Sequence, residues 1–325
     1  MSTIRRLNFW DSPKLKKMIF YLESGENLRK DLMSEAFRFV HRYFPLKYRF
    51  MPESYILLDG KEILGLVTVA PTLGNPYKLN ITRLVFDKNF YDAGKQLIEF
   101  VTSKYAAKGA VSFTVSVDQC HDELINLFIN GCGFRHCSYE NLWKLGGLEF
   151  PERVSSFRYF QNSDAAEVSE LYNSELIDMF KHSLKRVKNE FKEPFFEGVT
   201  NFYKNRYVLE DSVKRKIIAY MSLTTTDNLN YIIDLTQNSG YDFNYDEILG
   251  FAVREISHRK TVFYPFVKQK QYTKSSGKFE DYLHSKNCQC IQTQLVLVKD
   301  FYRPVKQEQN ALQVFLFGEN RITAN

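Results

Sequence analysis

Apolar and polar positions alternate along "SYILLDGKEILGLVTVA", from Ser54 to Ala70, and the run breaks once, at Asp59-Gly60. This predicts two strands joined by a tight hairpin, because strand side chains point alternately to opposite faces and Asp-Gly suits the turn. Upstream, "IRRLNFWDSPKLKKMIFYL" reads as a short strand, Asp11 and Ser12 as helix caps, and apolar residues at helical spacing. Downstream, "LVFDKNFYDAGKQLIEFV" (Leu84 to Val101) passes from a strand through a tight connection into a helix.

Each of these patterns occurs twice. "FRYFQNSDAAEVSELYNSEL", from Phe157, repeats the opening plan, with Ser163 and Asp164 before the helix. "RYVLEDSVKRKIIAYMSL" repeats the hairpin and aligns Ala219 with Gly65. "FNYDEILGFAVREI" repeats the strand-to-helix passage and places Tyr245-Asp246 over Tyr91-Asp92. The offset is 153 residues at the first strand (Ile4 to Phe157) and 154 at both later landmarks. Two copies of one α/β domain are therefore expected, over residues 1–148 and 149–325. They join near "GGLEFPERVSS" (Gly146–Ser156), where glycine, proline and polar residues interrupt the periodicity.

Within each copy the expected order is the same. One or two helices follow the first strand: Pro13–Leu22 and Glu26–Phe44, then in the second copy Ala165–Leu176 and roughly Glu193–Tyr203. The hairpin and a third strand come next (Lys78–Phe86; Leu229–Leu235), then the helix after the tight connection. A buried strand ("AVSFTVSV"; "TVFYPFV"), a helix (Asp122–Asn130; Lys278–Lys286) and a closing strand ("NLWKL"; "QLVLVKDF") complete each copy. The fold class is α/β (α+β), each domain a mixed, mainly antiparallel sheet flanked by helices. The last residues, "ALQVFLFGENRITAN", are expected to add an edge strand or tail.

Composition narrows the class. At 325 residues the chain can bury two sizeable cores, and 44% hydrophobic with 25% charged residues is the balance of a globular protein. No apolar run approaches the ~20 residues that span a bilayer, and the start lacks a secretory signal. Cys120, Cys132, Cys137, Cys288 and Cys290 form an odd, scattered set unlike a disulfide framework, so a cytoplasmic setting is expected. Cys288 and Cys290 are too closely spaced for a typical zinc knuckle, and no metal is expected.

The order of elements, with "DGKEILGLVTVA", "LVFDKNFYDAGKQLIEFV" and "DELINLFINGCGF", resembles the GNAT superfamily of acyl-CoA-dependent N-acetyltransferases, here in tandem. The resemblance implies acetyl-CoA or another acyl-CoA as co-substrate and a small-molecule or peptide amine as acceptor. In that family a loop of the form Q/R-x-x-G-x-G/A holds the coenzyme A pyrophosphate through backbone N–H groups. With Gly94 on its last position, the loop reads Asn89-Phe90-Tyr91-Asp92-Ala93-Gly94. The implied cofactor-binding set is Phe86, Asn89, Tyr91, Asp92, Ala93, Gly94 and Lys95. Asp92 stands where the family has glycine, and like charges ~4 Å apart at an effective dielectric of ~20 repel by about 4 kcal/mol. The alternative reading makes Asp92 a helix N-cap, typically worth about 1 kcal/mol, and Asp246 the same in the second copy.

The family's Leu-Tyr pair, whose phenol gives a proton to the departing thiolate, aligns with Leu127-Phe128, which has none to give. Tyr282 in the second copy is a substitute or a half-buried helix aromatic. For the base that deprotonates the amine, "VDQCHDE" offers His121 flanked by Asp118 and Asp122, with Cys120 beside it; helix capping by the aspartates is the structural alternative. Asp234, a charge inside the apolar "NYIIDLT", is a candidate base or a buried acceptor.

Net charge is +6, and basic runs fall at Lys181–Lys192 and Lys268–Lys278. Fem-type tandem transferases, some using aminoacyl-tRNA, would give such runs a nucleic-acid role. Dilution by acids favours solvated helix faces instead, and no nucleic-acid or membrane partner is expected. The sequence leaves oligomeric state open. It admits two functions: an N-acyltransferase whose site lies in the first half, or a catalytically inactive tandem domain serving as a binding or scaffold protein.

Overall fold

The computed structural model describes residues 2–11, 13–15, 52–72, 74–86, 90–146, 150–151, 155–193, 203–225 and 227–301. In the first half the expected helix Pro13–Leu22 is described only at its helical start, residues 13–15; the rest of it, the helix Glu26–Phe44, most of the one near Glu193–Tyr203, Asn89 and the tail "ALQVFLFGENRITAN" lie outside these residues.

The first half supplies strands β1 (Ser2–Arg6), β2 (Glu53–Asp59), β3 (Glu62–Thr72) and β4 (Asn75–Phe86), helix α1 (Phe90–Ala107), β5 (Ser112–Asp118), α2 (Asp122–Asn126) and β6 (Arg135–Lys144). The second supplies β7 (Arg158–Tyr159), α3 (Ala165–Glu175), α4 (Asp178–Leu184), β8 (Tyr203–Glu210), β9 (Ile217–Thr225), β10 (Asn230–Gln237), α5 (Tyr245–Ser257), β11 (Tyr264–Lys270), α6 (Ser276–Ser285) and β12 (Gln289–Asp300). The expected hairpin is present: β2 pairs with β3, and Gly60 turns the chain at φ 59°, left-handed backbone that glycine adopts without a Cβ penalty.

The repeat extends to atomic detail at the start of each half. Arg5 donates to both carboxylate oxygens of Asp11 at 2.7 Å, while Asp11 also accepts the N–H of Asn8. Arg158 donates to Asp164 at 2.8 and 3.1 Å, while Asp164 accepts the N–H of Gln161. Asp164 thus reaches back to the turn and to arginine rather than capping the helix that follows it.

The closing strands differ from expectation. All twelve strands form one sheet in the order β1-β2-β3-β4-β5-β12-β6-β11-β10-β9-β8-β7. Instead of closing its own half, β12 runs antiparallel to β5, Gln294–Asp300 against Ser112–Asp118. In exchange β6 runs antiparallel to β11, and the two exchanged strands pair with each other. Hydrophobic burial fixes the exchange. Leu295 and Leu297 of β12 sit in the first half's core with Val115, Val117 and Phe134. Trp143 and Leu145, from and just after β6, sit in the second half's core with Val267 and Leu283. The sequence boundary near residue 148 is therefore crossed in space by one strand from each side.

Helix α1 lies on the first half because Ala93, Leu97, Ile98 and Val101 form one buried stripe at helical spacing. The helix α4 at the start of the Lys181–Lys192 run lies across the exchanged strands, with Phe180 and Leu184 packed on Cys137, Val296 and Val298. That run is thus in part a packed helix rather than only a solvated face. No described helix is long and apolar enough to cross a membrane.

Candidate functional site

Among the described residues two strand pairs of the sheet are parallel, one in each half, and each opens into a cleft. In the first half β4 pairs with β5 over three residues, Lys78–Asn80 with Ser112–Thr114. Beyond them β4 follows β3 to Phe86 and β5 follows β12 to Asp118, so facing backbone edges diverge without pairing. At the wide end lie the start of α1 on one side and Asp118, Cys120 and His121 on the other.

Helix α1 begins at Phe90. Its unpaired N–H groups are those of the first turn, whereas the N–H of Gly94 faces the carbonyl of Phe90 one turn in. Gly94 is buried, and a Cβ there would lie 2.8 Å from the Phe86 ring and 2.7 Å from Leu127. Its smallness serves helix-on-strand packing. Asp92 is the third helical residue and exposed, so it lies inside the first turn and not at the N-cap position expected of it. There it still gains from the helix dipole, by ~0.3–1 kcal/mol. Tyr91 is exposed, with its phenol over Gly131, where a Cβ would meet the oxygen at 2.8 Å. Ala93 and Phe86 are buried in the core, and Lys95 is partly buried with its ammonium 3.9 Å from Glu99. Phe128, fully buried, packs edge-on against Phe134 at 5.1 Å. This ring presents hydrocarbon where the family's phenol would stand.

At the opposite wall, Asp118 accepts the N–H of Cys120 at 3.0 Å and Nε2 of Gln292 at 2.8 Å. Burial favours the neutral acid, but these hydrogen bonds prevail and hold the carboxyl below its usual range. Asp118 thus fixes the turn into α2. His121 is buried at the start of α2, and its Nδ1 lies 3.5 Å from the sulfur of exposed Cys120. The two neighbours do face each other. The imidazole caps no backbone N–H.

The second cleft has different walls. There β10 pairs with β11 over five residues, Asn230–Asp234 with Tyr264–Lys268. At the start of α5 Asp246 is again inside the helix, after the N-cap Asn244. Its carboxylate accepts the phenol of Tyr282 at 2.8 Å and the ammonium of Lys286 at 3.0 Å. Tyr282 is therefore committed to Asp246, and burial followed by that carboxylate pushes its phenol well above the ordinary value.

Across the cleft Asp234 pairs with the ammonium of Lys270, which also donates to Thr236 at 3.1 Å. Lys268 meets Glu140 of the exchanged strand β6 at 2.5 Å, and Tyr272 donates to the other oxygen of Glu140 at 2.7 Å. Burial resists the charge on Lys268, yet Glu140 and Asp234 outweigh it and raise its ammonium. For buried Lys270 desolvation wins, and its ammonium is lowered despite Asp234. Arg186 and Lys270 sit over the ring of Tyr172, at 4.8 and 5.6 Å.

Of this group the sequence offered Asp234 as a site candidate, while Arg186, Lys268 and Lys270 fell within its two basic runs. Lys268-x-Lys270 at the end of β11, with Tyr272 two residues further on, was the available signal. The solvated-face reading of that run fails here, since Lys270 and Tyr272 are buried. Among the described residues no group of three or more metal-ligating side chains is placed to hold a metal ion, and Cys288 and Cys290 are free thiols.

No protein-family model matches the sequence, and no curated protein matches it. Solved structures do match in shape. A GCN5-related N-acetyltransferase from Sphaerobacter thermophilus superposes with a TM-score of 0.59 at 9% identity, over 92% of this chain and 95% of that one. A tandem GNAT protein from the clavulanic acid biosynthesis pathway superposes with a TM-score of 0.53 at 10% identity, over 92% of this chain and 98% of that one. Likeness over nearly the full length of both chains, with two parallel-strand clefts in one sheet, establishes that this chain has the tandem GNAT fold.

Proposed function

We propose that the protein is an acyl-CoA-dependent N-acyltransferase working in its first cleft on an amine acceptor. The observation carrying this reading is the early divergence of β4 from β5. The facing edges offer unpaired backbone groups to an extended ligand arm. The first-turn N–H groups of α1 offer an anion site at the cleft's end, provided that the Asp92 carboxylate turns outward. The second cleft is less suited, because Asp246, Tyr282 and Lys286 already occupy the start of α5.

In this reading the amine nitrogen attacks the thioester carbonyl carbon, a C–N bond forms, and the C–S bond breaks. His121, or a water it orders, takes the proton from the attacking nitrogen. The leaving thiolate draws no proton from Phe128, so it departs as the anion or is protonated by solvent. Phe128 and Asp92 together favour a second reading, a non-catalytic tandem domain that binds a partner.

Calorimetric titration of the whole protein with acetyl-CoA separates the two. Saturable micromolar binding, strengthened in Asp92→Gly, is the expected result. Silence from both proteins with acetyl-CoA and with longer acyl-CoAs would sink the transferase reading.

A further inference from the structure

The polar group in the second cleft does not balance its own charge. Lys268, Lys270 and Arg186 bring three positive charges, and Asp234 and Glu140 bring two negative ones. Of the further charges, Glu190 acts on both Lys78 and Arg186 and offsets Lys78, and Asp300, which also acts on Lys78, is paired with Arg135. Glu175, at the end of α3, turns instead to Ser239 beyond β10.

The surplus charge is localised. Lys268 and Lys270 each have a carboxylate, whereas the guanidinium of Arg186 makes no hydrogen bond or ion pair among the described residues. The face of Tyr172 lies 4.8 Å away, and Asp234, Glu190 and the phenol of Tyr272 act on the guanidinium through space without a hydrogen bond. The contact with Tyr172 takes none of its N–H donors. The guanidinium nitrogens reach solvent, so the donors are open to an incoming ligand in exchange for water. The side chain of Lys268 is 33% exposed, so the group opens to solvent.

We propose that the second cleft is a binding site for a small organic monocarboxylate, gripped edge-on by Arg186 and backed by Lys268. A planar carboxylate matches the guanidinium fork through two parallel N–H···O bonds. A single negative charge also neutralises the surplus of one, whereas a phosphate dianion would overshoot it. The site is separate from the first cleft and independent of acyl transfer there.

The test is a ¹⁹F NMR titration of the full chain with trifluoroacetate, at constant ionic strength set by chloride. Saturable line broadening, reversed by acetate, is expected. Arg186→Gln should weaken binding at least about tenfold, the size expected for a charged hydrogen-bonded contact. Arg186→Lys keeps the charge without the fork and should lose less, and it decides the matter if Arg186→Gln fails to fold. Lys214→Gln, an exposed cation elsewhere, should change nothing. Broadening that acetate does not reverse, equal affinity in the native and Arg186 variants, or displacement by inorganic phosphate at lower concentration than acetate would overturn the proposal.

Discussion

Leu297→Ala tests whether the exchanged strands make the two halves one folding unit. Leu297 is carried by the second half's last strand, yet it is fully buried in the first half's core. It lies opposite Val115 on one side and His136 on the other. Hydrogen-bonded strands on both flanks leave the backbone little room to close a void. The loss should therefore fall in the middle of the usual 2–5 kcal/mol range, at about 3–4 kcal/mol. Urea unfolding followed by tryptophan fluorescence and by far-UV circular dichroism reads the effect. The chain has two tryptophans, Trp10 and Trp143. Trp10 is 83% exposed, and Trp143 is buried in the second half's core, so the fluorescence change belongs to Trp143. A cavity in the first core should move the Trp143 transition by the same free energy as the dichroism. A Trp143 midpoint left at the native value while the dichroism splits in two would show independent halves and refute the argument.

Gly94→Ala should destabilise the protein by roughly 1 kcal/mol net. The ~1 kcal/mol gained in helix propensity is outweighed by ~1–3 kcal/mol of overpacking against Phe86 and Leu127, and thermal unfolding of the variant reads the balance. A stabilised variant would place Gly94 outside the core contact. Acid sensitivity should trace in part to the paired arginine–aspartate turns. Hydrogen bonds from Arg5 hold Asp11 below its ordinary value, and those from Arg158 and Gln161 outweigh burial to do the same for Asp164. A lowered folded-state value means that the stabilisation is complete above the unfolded value and is lost as pH falls below about 4. Asp11→Asn with Asp164→Asn should flatten stability against pH between 5 and 3, measured by urea midpoints; an unchanged slope would remove these carboxylates from the account.

Local signals were legible where one physical rule decides them. Asp59-Gly60 marked the hairpin because the turn needs left-handed backbone. The passage "LVFDKNFYDAGKQLIEFV" marked α1, whose one buried face runs through Ala93, Leu97 and Val101. The Tyr-Asp starts of α1 and α5 were visible, but their exact role was not. A carboxylate one or two residues inside a helix and one at its cap look alike in sequence, and only the position of the first helical residue separates them. The exchange of β6 and β12 left no local mark. β12 carries an apolar run, Leu295–Val298, while β6 is mostly polar, and neither pattern says which neighbour a strand pairs with. The charged group of the second cleft was hidden for a related reason. Glu140 comes from the other half's exchanged strand, and Arg186 from beyond α4, so no sequence window contains Lys268 with its partners.

The duplication has left two clefts of the same strand topology and opposite character. In the first, the diverging edges of β4 and β5 flank the wide end, Phe86 and Phe128 are buried in the core, and the aspartate and histidine of the turn stand to one side. In the second, five charged side chains fill the corresponding space, and a carboxylate held by Tyr282 and Lys286 stands at the helix start. Burying that many charges is tolerated only when they are paired and hydrogen-bonded. Glu140, which reaches Lys268 because β6 crosses into the second half, supplies one of the two necessary carboxylates. The strand exchange and the polar cleft are therefore linked: without β6 in place, Lys268 would lose its carboxylate, and the positive surplus would grow from one charge to two. A chain that had lost the exchange would have to lose the cluster of cations as well.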